Sequence, residues 1–134
     1  MIEKSALFSL GALGYGCIEL AWRGRTHWTM LLAGGLCMLA LWRLDALLPR
    51  WPLLARCAAG ALVITAVELV FGLVCNLALG WRVWDYSLLW GNLWGQICPL
   101  YSSLWFLLCI PIFASLSLCR ARLAAPSAPG GPEN

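Results

Sequence analysis

Four long apolar stretches, separated by short polar or aromatic interruptions, dominate this chain. A helix that crosses a bilayer needs roughly 20 predominantly apolar residues, with a range of about 17 to 25. Residues 5–22, 28–48, 53–79 and 100–118 meet that requirement. They are apolar all round rather than along one stripe, the pattern of a helix without a wet face. The third is the longest; at about 1.5 Å per residue it has length to spare for tilting or projecting beyond the lipid. Pro99 suits the first turn of the fourth, where a missing N–H costs nothing. Pro111 is expected to kink or interrupt that helix. Residues 1–119 therefore read as one membrane domain, and 120–134, ending "AAPSAPGGPEN", as a disordered cytoplasmic tail.

The interruption between the third and fourth stretches is unlike the others. "WRVWDYSLLWGNLWGQICP", Trp81 to Pro99, holds four of the nine Trp, with Arg82, Asp85, Asn92 and Gln96. Irregular backbone at membrane depth is tolerated only where it is buried in protein or lines a cavity. The segment is thus expected to be re-entrant or interfacial. The fold class implied is an all-α integral membrane protein, a four-transmembrane-helix bundle with this segment between helices 3 and 4.

Composition supports the same class. The chain is 62% hydrophobic and 11% charged, against about 25% charged in soluble domains. Its net charge of +3 is scattered, so the clustered basic face that nucleic-acid binding needs is lacking. The seven Cys form no CxxC and the one His is His27. Neither a metal site nor a disulfide framework is expected, and the Cys read as small apolar packing residues. No cofactor is expected. Lys4 and the apolar run after it look superficially like a signal peptide, but no A-x-A site is present and Glu19 interrupts the run, so the first helix is expected to be retained. Trp22, Trp28, Trp42, Trp51 and Trp81 fall near span ends, as in an interfacial aromatic belt.

Four spans put the N-terminus, the second connection and the tail on one side. That side holds Lys4, Arg43, Arg50, Arg56, Arg120 and Arg122; the other holds Arg23, Arg25 and Arg82. The excess places both termini in the cytoplasm of a multi-pass cell-membrane protein. A tandem two-helix repeat is also suggested. "GYGCIEL" (Gly14 to Leu20) resembles "VITAVEL" (Val63 to Leu69), and "GGLC" (Gly34 to Cys37) resembles "GQIC" (Gly95 to Cys98).

Charged groups inside a span cost at least about 2.5 kcal/mol near its centre, so Glu19 and Glu68 call for a reason. Glu19 and Arg23 stand at i and i+4 in the favoured order, in a row with Gly11 and Tyr15. Glu68 has no basic residue within a turn or two. Its row is Gly60, Ile64, Glu68, Gly72 and Asn76, whose glycines would let another helix come close. Such a Glu is either a structural hydrogen-bond acceptor between helices, a proton- or cation-responsive carboxyl, or the anchor of a cationic solute. Asp85, Asn92 and Gln96 are the expected partners of these carboxyls, with the segment as a lid over them.

"GYGCIELAWRGRTHWTM", "VELVFGLVCNLALGWRVWDYS" and "GNLWGQICPLYSSLWFLLCIP" together resemble the bacterial putative ABC-transporter type IV membrane proteins, often labelled putative ABC transporter permeases. The resemblance covers roughly residues 7–113. It points to Glu68, Asn76, Gly80, Trp84, Asp85, Tyr86, Ser87, Asn92, Gly95, Gln96 and Trp105, with Glu19, Arg23 and Trp28 in its first half. It implies a small permease or transporter component, although no G-x-x-x-x-G-K-[ST] phosphate loop occurs in the chain.

The function expected is that of a transporter component whose ligand site comprises Glu19, Arg23, Glu68, Asn76, Trp84, Asp85, Tyr86, Asn92 and Gln96. Its partners would be the lipid bilayer, a second copy (a dimer) or another membrane subunit, and a small polar or cationic solute or a lipid. The alternatives are a non-catalytic scaffold or accessory subunit and, less favoured, an intramembrane lipid-modifying enzyme. Glu19, Glu68 and Asp85 supply acid–base groups for the last, but no Ser or Cys stands beside a His.

Overall fold

The computed structural model describes residues 3–126. α1 (Lys4–Arg23), α2 (Trp28–Leu47), α3 (Leu53–Phe71) and α4 (Pro99–Ala124) are long and apolar enough to cross a membrane, α3 together with the π-helical turn Gly72–Ala78 that continues it. α4 runs six residues beyond the apolar stretch that ends at 118. Residues 120–124, expected in the tail, are therefore helical, and Arg120 is bonded there to Asp45 and Trp42 of α2. The remainder of the expected tail, 127–134, lies outside the described residues.

Local chemistry sets the ends. Gly24 closes α1 in the left-handed conformation (φ 70°), its N–H bonding to the Leu20 carbonyl at 2.9 Å. His27 starts α2, its Nδ1 accepting from the Thr29 amide at 3.4 Å. Pro99 occupies the first turn of α4. The helix then passes Pro111 without interruption. Its flanking Cys109 and Phe113 are completely buried, and such packing against neighbours lets a spanning helix tolerate proline.

The helices form two antiparallel hairpins, α1–α2 and α3–α4. Gly11 and Gly34 bring α1 and α2 together: a Cβ on Gly34 would lie 2.6 Å from the Tyr15 Cβ and 2.7 Å from the Gly11 carbonyl. Gly60 does the same for α3, against Phe113, Cys109 and Leu41. These contacts centre the core on Leu41, Cys57, Ala61, Ile64, Trp105, Cys109 and Phe113. The hairpins meet through α2 against α3 and α4, whereas α1 does not approach α3 or α4 within 8 Å between Cα atoms. A cleft therefore separates α1 from the second hairpin.

The hairpins match in topology, but the suggested repeat motifs do not occupy equivalent places. Cys37 lies inside α2, and Cys98 precedes α4 as its cap. Exposure runs opposite to that of a water-soluble bundle. Leu13, Leu62, Val70 and Leu107 are open on the outer faces, while Glu19, Asp45, Glu68 and Asn76 are buried. Trp22, Trp28, Trp51 and Trp81 are exposed near helix ends, in keeping with the aromatic belt.

Candidate functional site

Glu68 faces the interior, as its row predicts: Gly60, Ile64, Glu68, Gly72 and Asn76 are all buried. It is 6% exposed. Tyr86 Oη donates to Oε1 at 2.7 Å and Trp105 Nε1 donates to Oε2 at 3.0 Å. Each carboxylate oxygen thus meets one neutral donor. Trp105 comes from α4 and Tyr86 from the segment between the helices, so the two lock that segment onto both helices of the hairpin.

Glu19 is solved differently. Arg23 Nη2 lies 2.5 Å from its Oε2, one turn along the same helix. Tyr15 Oη donates to its Oε1 at 3.2 Å. Arg23 Nη1 also donates to the Val83 carbonyl at 3.2 Å, tying α1 to the segment after α3. Tyr15 joins the two carboxylate neighbourhoods: its ring sits 5.8 Å from that of Trp105, and it lines the same cleft as Glu68. Beyond it Tyr86 stacks on Tyr101 at 4.5 Å, and Tyr101 Oη accepts from Trp22 Nε1 of α1 at 3.2 Å.

The cleft is a cavity of about 370 Å³ bounded by all four helices. Leu10, Met30, Met38, Val67, Phe71 and Leu108 are typical of its walls; Tyr15, Glu68 and Ser115 are its polar side chains. That volume lies in the range of small-ligand sites, roughly 300–1,000 Å³.

The segment 79–98 is irregular, a chain of turns rather than a helix. The widened π-helical turn leads into it and keeps both Cys75 and Asn76 buried. Asn76 then organises the backbone downstream of it. Its Oδ1 accepts from the Val83 amide at 2.7 Å, and its Nδ2 donates to Gln96 Oε1 at 2.8 Å. Gln96 Nε2 donates to the Trp94 carbonyl at 2.8 Å, while Trp84 Nε1 donates to the Gln96 carbonyl at 2.9 Å. Gly72 lets Gln96 in, since a Cβ there would stand 2.6 Å from Gln96 Oε1.

The expectation that Asp85, Asn92 and Gln96 meet the carboxylates fails. Asp85 accepts from the Ser87 amide at 2.8 Å and from the Ser87 hydroxyl, and these bonds hold its carboxyl below the usual range. Asn92 donates to the Ser87 and Leu89 carbonyls and accepts from the Gly95 amide. Hydrogen bonds within the loop and to Asn76 have claimed all three before they could reach a carboxylate. Gly95 is forced here twice over, by φ 70° and by Asp85 and Ser87 at its α-carbon. Of the segment's side chains, Tyr86 is the one bonded to Glu68. Burial, followed by the negative charge of Glu68, pushes its phenol above the ordinary value.

Three groups outside the expected set adjoin Glu19, Glu68 or Tyr86. Tyr15 was legible from its i, i+4 spacing to Glu19, Trp105 from the family resemblance alone, and Tyr101 from no signal.

A separate cluster lies at the opposite end of the bundle. Asp45 of α2, with 2% of its side chain exposed, pairs with Arg56 Nη1 at 2.5 Å and Arg120 Nε at 2.6 Å. Arg56 also reaches Ser117 Oγ at 2.9 Å. Arg120 donates to the Trp42 carbonyl and lies 3.8 Å over the Trp42 ring. By sequence both Arg count only as topology charges and Asp45 has no role; an acid inside "LWRLDALL" was the available signal.

A family model described as putative ABC-transporter type IV matches residues 13–125. No curated protein and no solved structure matches the chain.

Proposed function

This chain belongs to the putative ABC-transporter type IV family, and from that premise we propose that it is a permease-type membrane subunit binding a small ligand in the cleft at Glu68. One observation carries the reading: an apolar cavity bounded by all four helices has a buried carboxylate in its wall. A charge within a span is expensive and marks a functional path by default. Glu68 anchors the ligand and Tyr15 forms the neighbouring wall; the Glu19–Arg23 pair holds Tyr15 from behind, and Tyr86 holds Glu68 from the loop. Asn76, Trp84, Asp85, Asn92 and Gln96 act indirectly, by holding the loop that delivers Tyr86.

Because α1 stands off from α3 and α4, a second copy or another membrane subunit packing at that side would complete a path. The basic residues at the Asp45 end face the cytoplasm in this reading, together with both termini.

The decisive experiment is flux in proteoliposomes. Wild-type protein carries solute or protons, and Glu68→Gln abolishes the flux while eluting as a monodisperse species. Undiminished flux in that variant sinks the proposal. The self-contained hydrogen bonding of residues 83–96 favours one other reading, a non-transporting accessory subunit. Co-purification of a membrane partner without any flux would support it.

A further inference from the structure

We infer that the occupant of the cleft is a single-chain alkylammonium amphiphile, its chain among the apolar walls and its cationic head against Glu68. The inference rests on the reading of the cleft as a binding site and adds the charge and shape of the ligand that fills it.

The three buried acids of the helices differ in their partners. Glu19 has Arg23, and Asp45 has Arg56 and Arg120. Glu68 has neutral donors from Tyr86 and Trp105, and no described basic group lies within 4 Å of it. A tryptophan N–H can only donate, and an ionised carboxylate only accepts. Both carboxyl oxygens are therefore met by neutral donors and neither by a counter-charge, which an arriving cation supplies.

The surroundings select the kind of cation. Tyr15, Phe71 and Trp105 line the cleft beside Glu68. Aromatic faces attract ammonium groups, and cages of such rings recognise quaternary ammonium ligands. A small hydrated metal ion would find side-chain oxygen from one carboxylate, one phenol and one hydroxyl, far fewer than such ions require. Apart from Ser115, the remaining walls are Leu, Ile, Val, Met, Ala, Gly, Cys37 and Pro111 from all four helices, which suits a hydrocarbon chain. An anionic head would face Glu68 unscreened. A zwitterionic phosphate head would need a guanidinium in the cleft wall, and Arg23, whose two Nη atoms are held by Glu19 and the Val83 carbonyl, does not line it.

The test uses three photoreactive amphiphiles with the same diazirine-bearing alkyl chain and different heads: trimethylammonium, sulfate and maltoside. Each is applied to full-length protein in maltoside micelles, and labelled peptides are mapped by mass spectrometry. The trimethylammonium probe is expected to label Met30, Met38 and Leu108 at least about tenfold more than the sulfate probe. Glu68→Gln should bring the two within about twofold, with Glu19→Gln as the paired-acid comparison. Equal labelling by all three heads, or preference for sulfate, overturns the ammonium assignment and leaves the cleft a binding site. Absence of cleft labelling by any head removes the binding reading as well. Should Glu68→Gln fail to fold, the head-group comparison on unaltered protein decides alone.

Discussion

The two ends of the bundle each bury an acid, and each treats it differently. At one end Asp45 is enclosed by two arginines drawn from α3 and α4, with Ser117 and the Trp42 ring and carbonyl taking up further contacts. At the other end Glu68 meets only a phenol and an indole and borders a cavity. The first is a closed ionic fastening across three helices. The second is a buried acid with neutral donors and no basic partner within 4 Å among the described residues. One fold therefore holds both a brace and a candidate site, and the nature of the partners separates them.

The sharpest way to break that comparison is Asp45→Ala. It strands two partly buried guanidinium groups, and removing one partner of a buried pair costs about 3–5 kcal/mol. Unfolding in detergent should show a loss of that size. Next comes Gly34→Val, which drives a side chain into Tyr15 and Gly11. Overpacking of this kind costs about 1–3 kcal/mol, seen as a lowered melting temperature with α1 more open to protease. Trp105→Phe keeps a ring and deletes the donor to Glu68. It should cost stability about 1–3 kcal/mol, less than Asp45→Ala, yet impair flux, whereas the brace variants should lose stability first. If Asp45→Ala and Trp105→Phe gave indistinguishable stability losses, the distinction between brace and site would collapse.

The smallest effect is expected at Asp85→Asn, on the exposed turn. The folded pKa of Asp85 is depressed, chiefly by the Ser87 hydroxyl and then by the Ser87 amide. Its contribution is therefore present above the unfolded pKa and lost as pH falls through the lower folded value. Protection of the Ser87 amide, its intrinsic exchange rate relative to the observed rate at each pH, should be higher at neutral pH and fall in acid as Asp85 is protonated, and Asp85→Asn should remove that pH dependence.

The spans were legible because lipid imposes one rule on every spanning residue, so length and hydropathy suffice. Two inward rows were legible as well. Gly11, Tyr15, Glu19 and Arg23 share one face of α1, and Gly60 to Asn76 share one face of α3, because helical period fixes which residues stand together. The partners of Glu68 were not legible. Tyr86 reaches it within a segment that reverses through Gly80, Arg82, Gly91, Trp94 and Gly95, all with positive φ. Arg82 and Trp94 carry no sequence cue for that conformation. Asp45 was hidden for a related reason: its partners lie 11 and 75 residues away, and position near a span end makes an acid look solvated.

A four-span membrane protein, its family and the two helix faces that carry Glu19 and Glu68 are all written in the order of residues. Hydropathy and helical period are local, and they act before any helix meets another. Packing alone settled that Asp85, Asn92 and Gln96 would hold the loop rather than meet the carboxylates. It settled likewise that Tyr86 and Trp105 would meet Glu68, and that Asp45 would be matched with two arginines. Those outcomes depend on which polar groups stay unpaired once the helices pack, which no local pattern fixes.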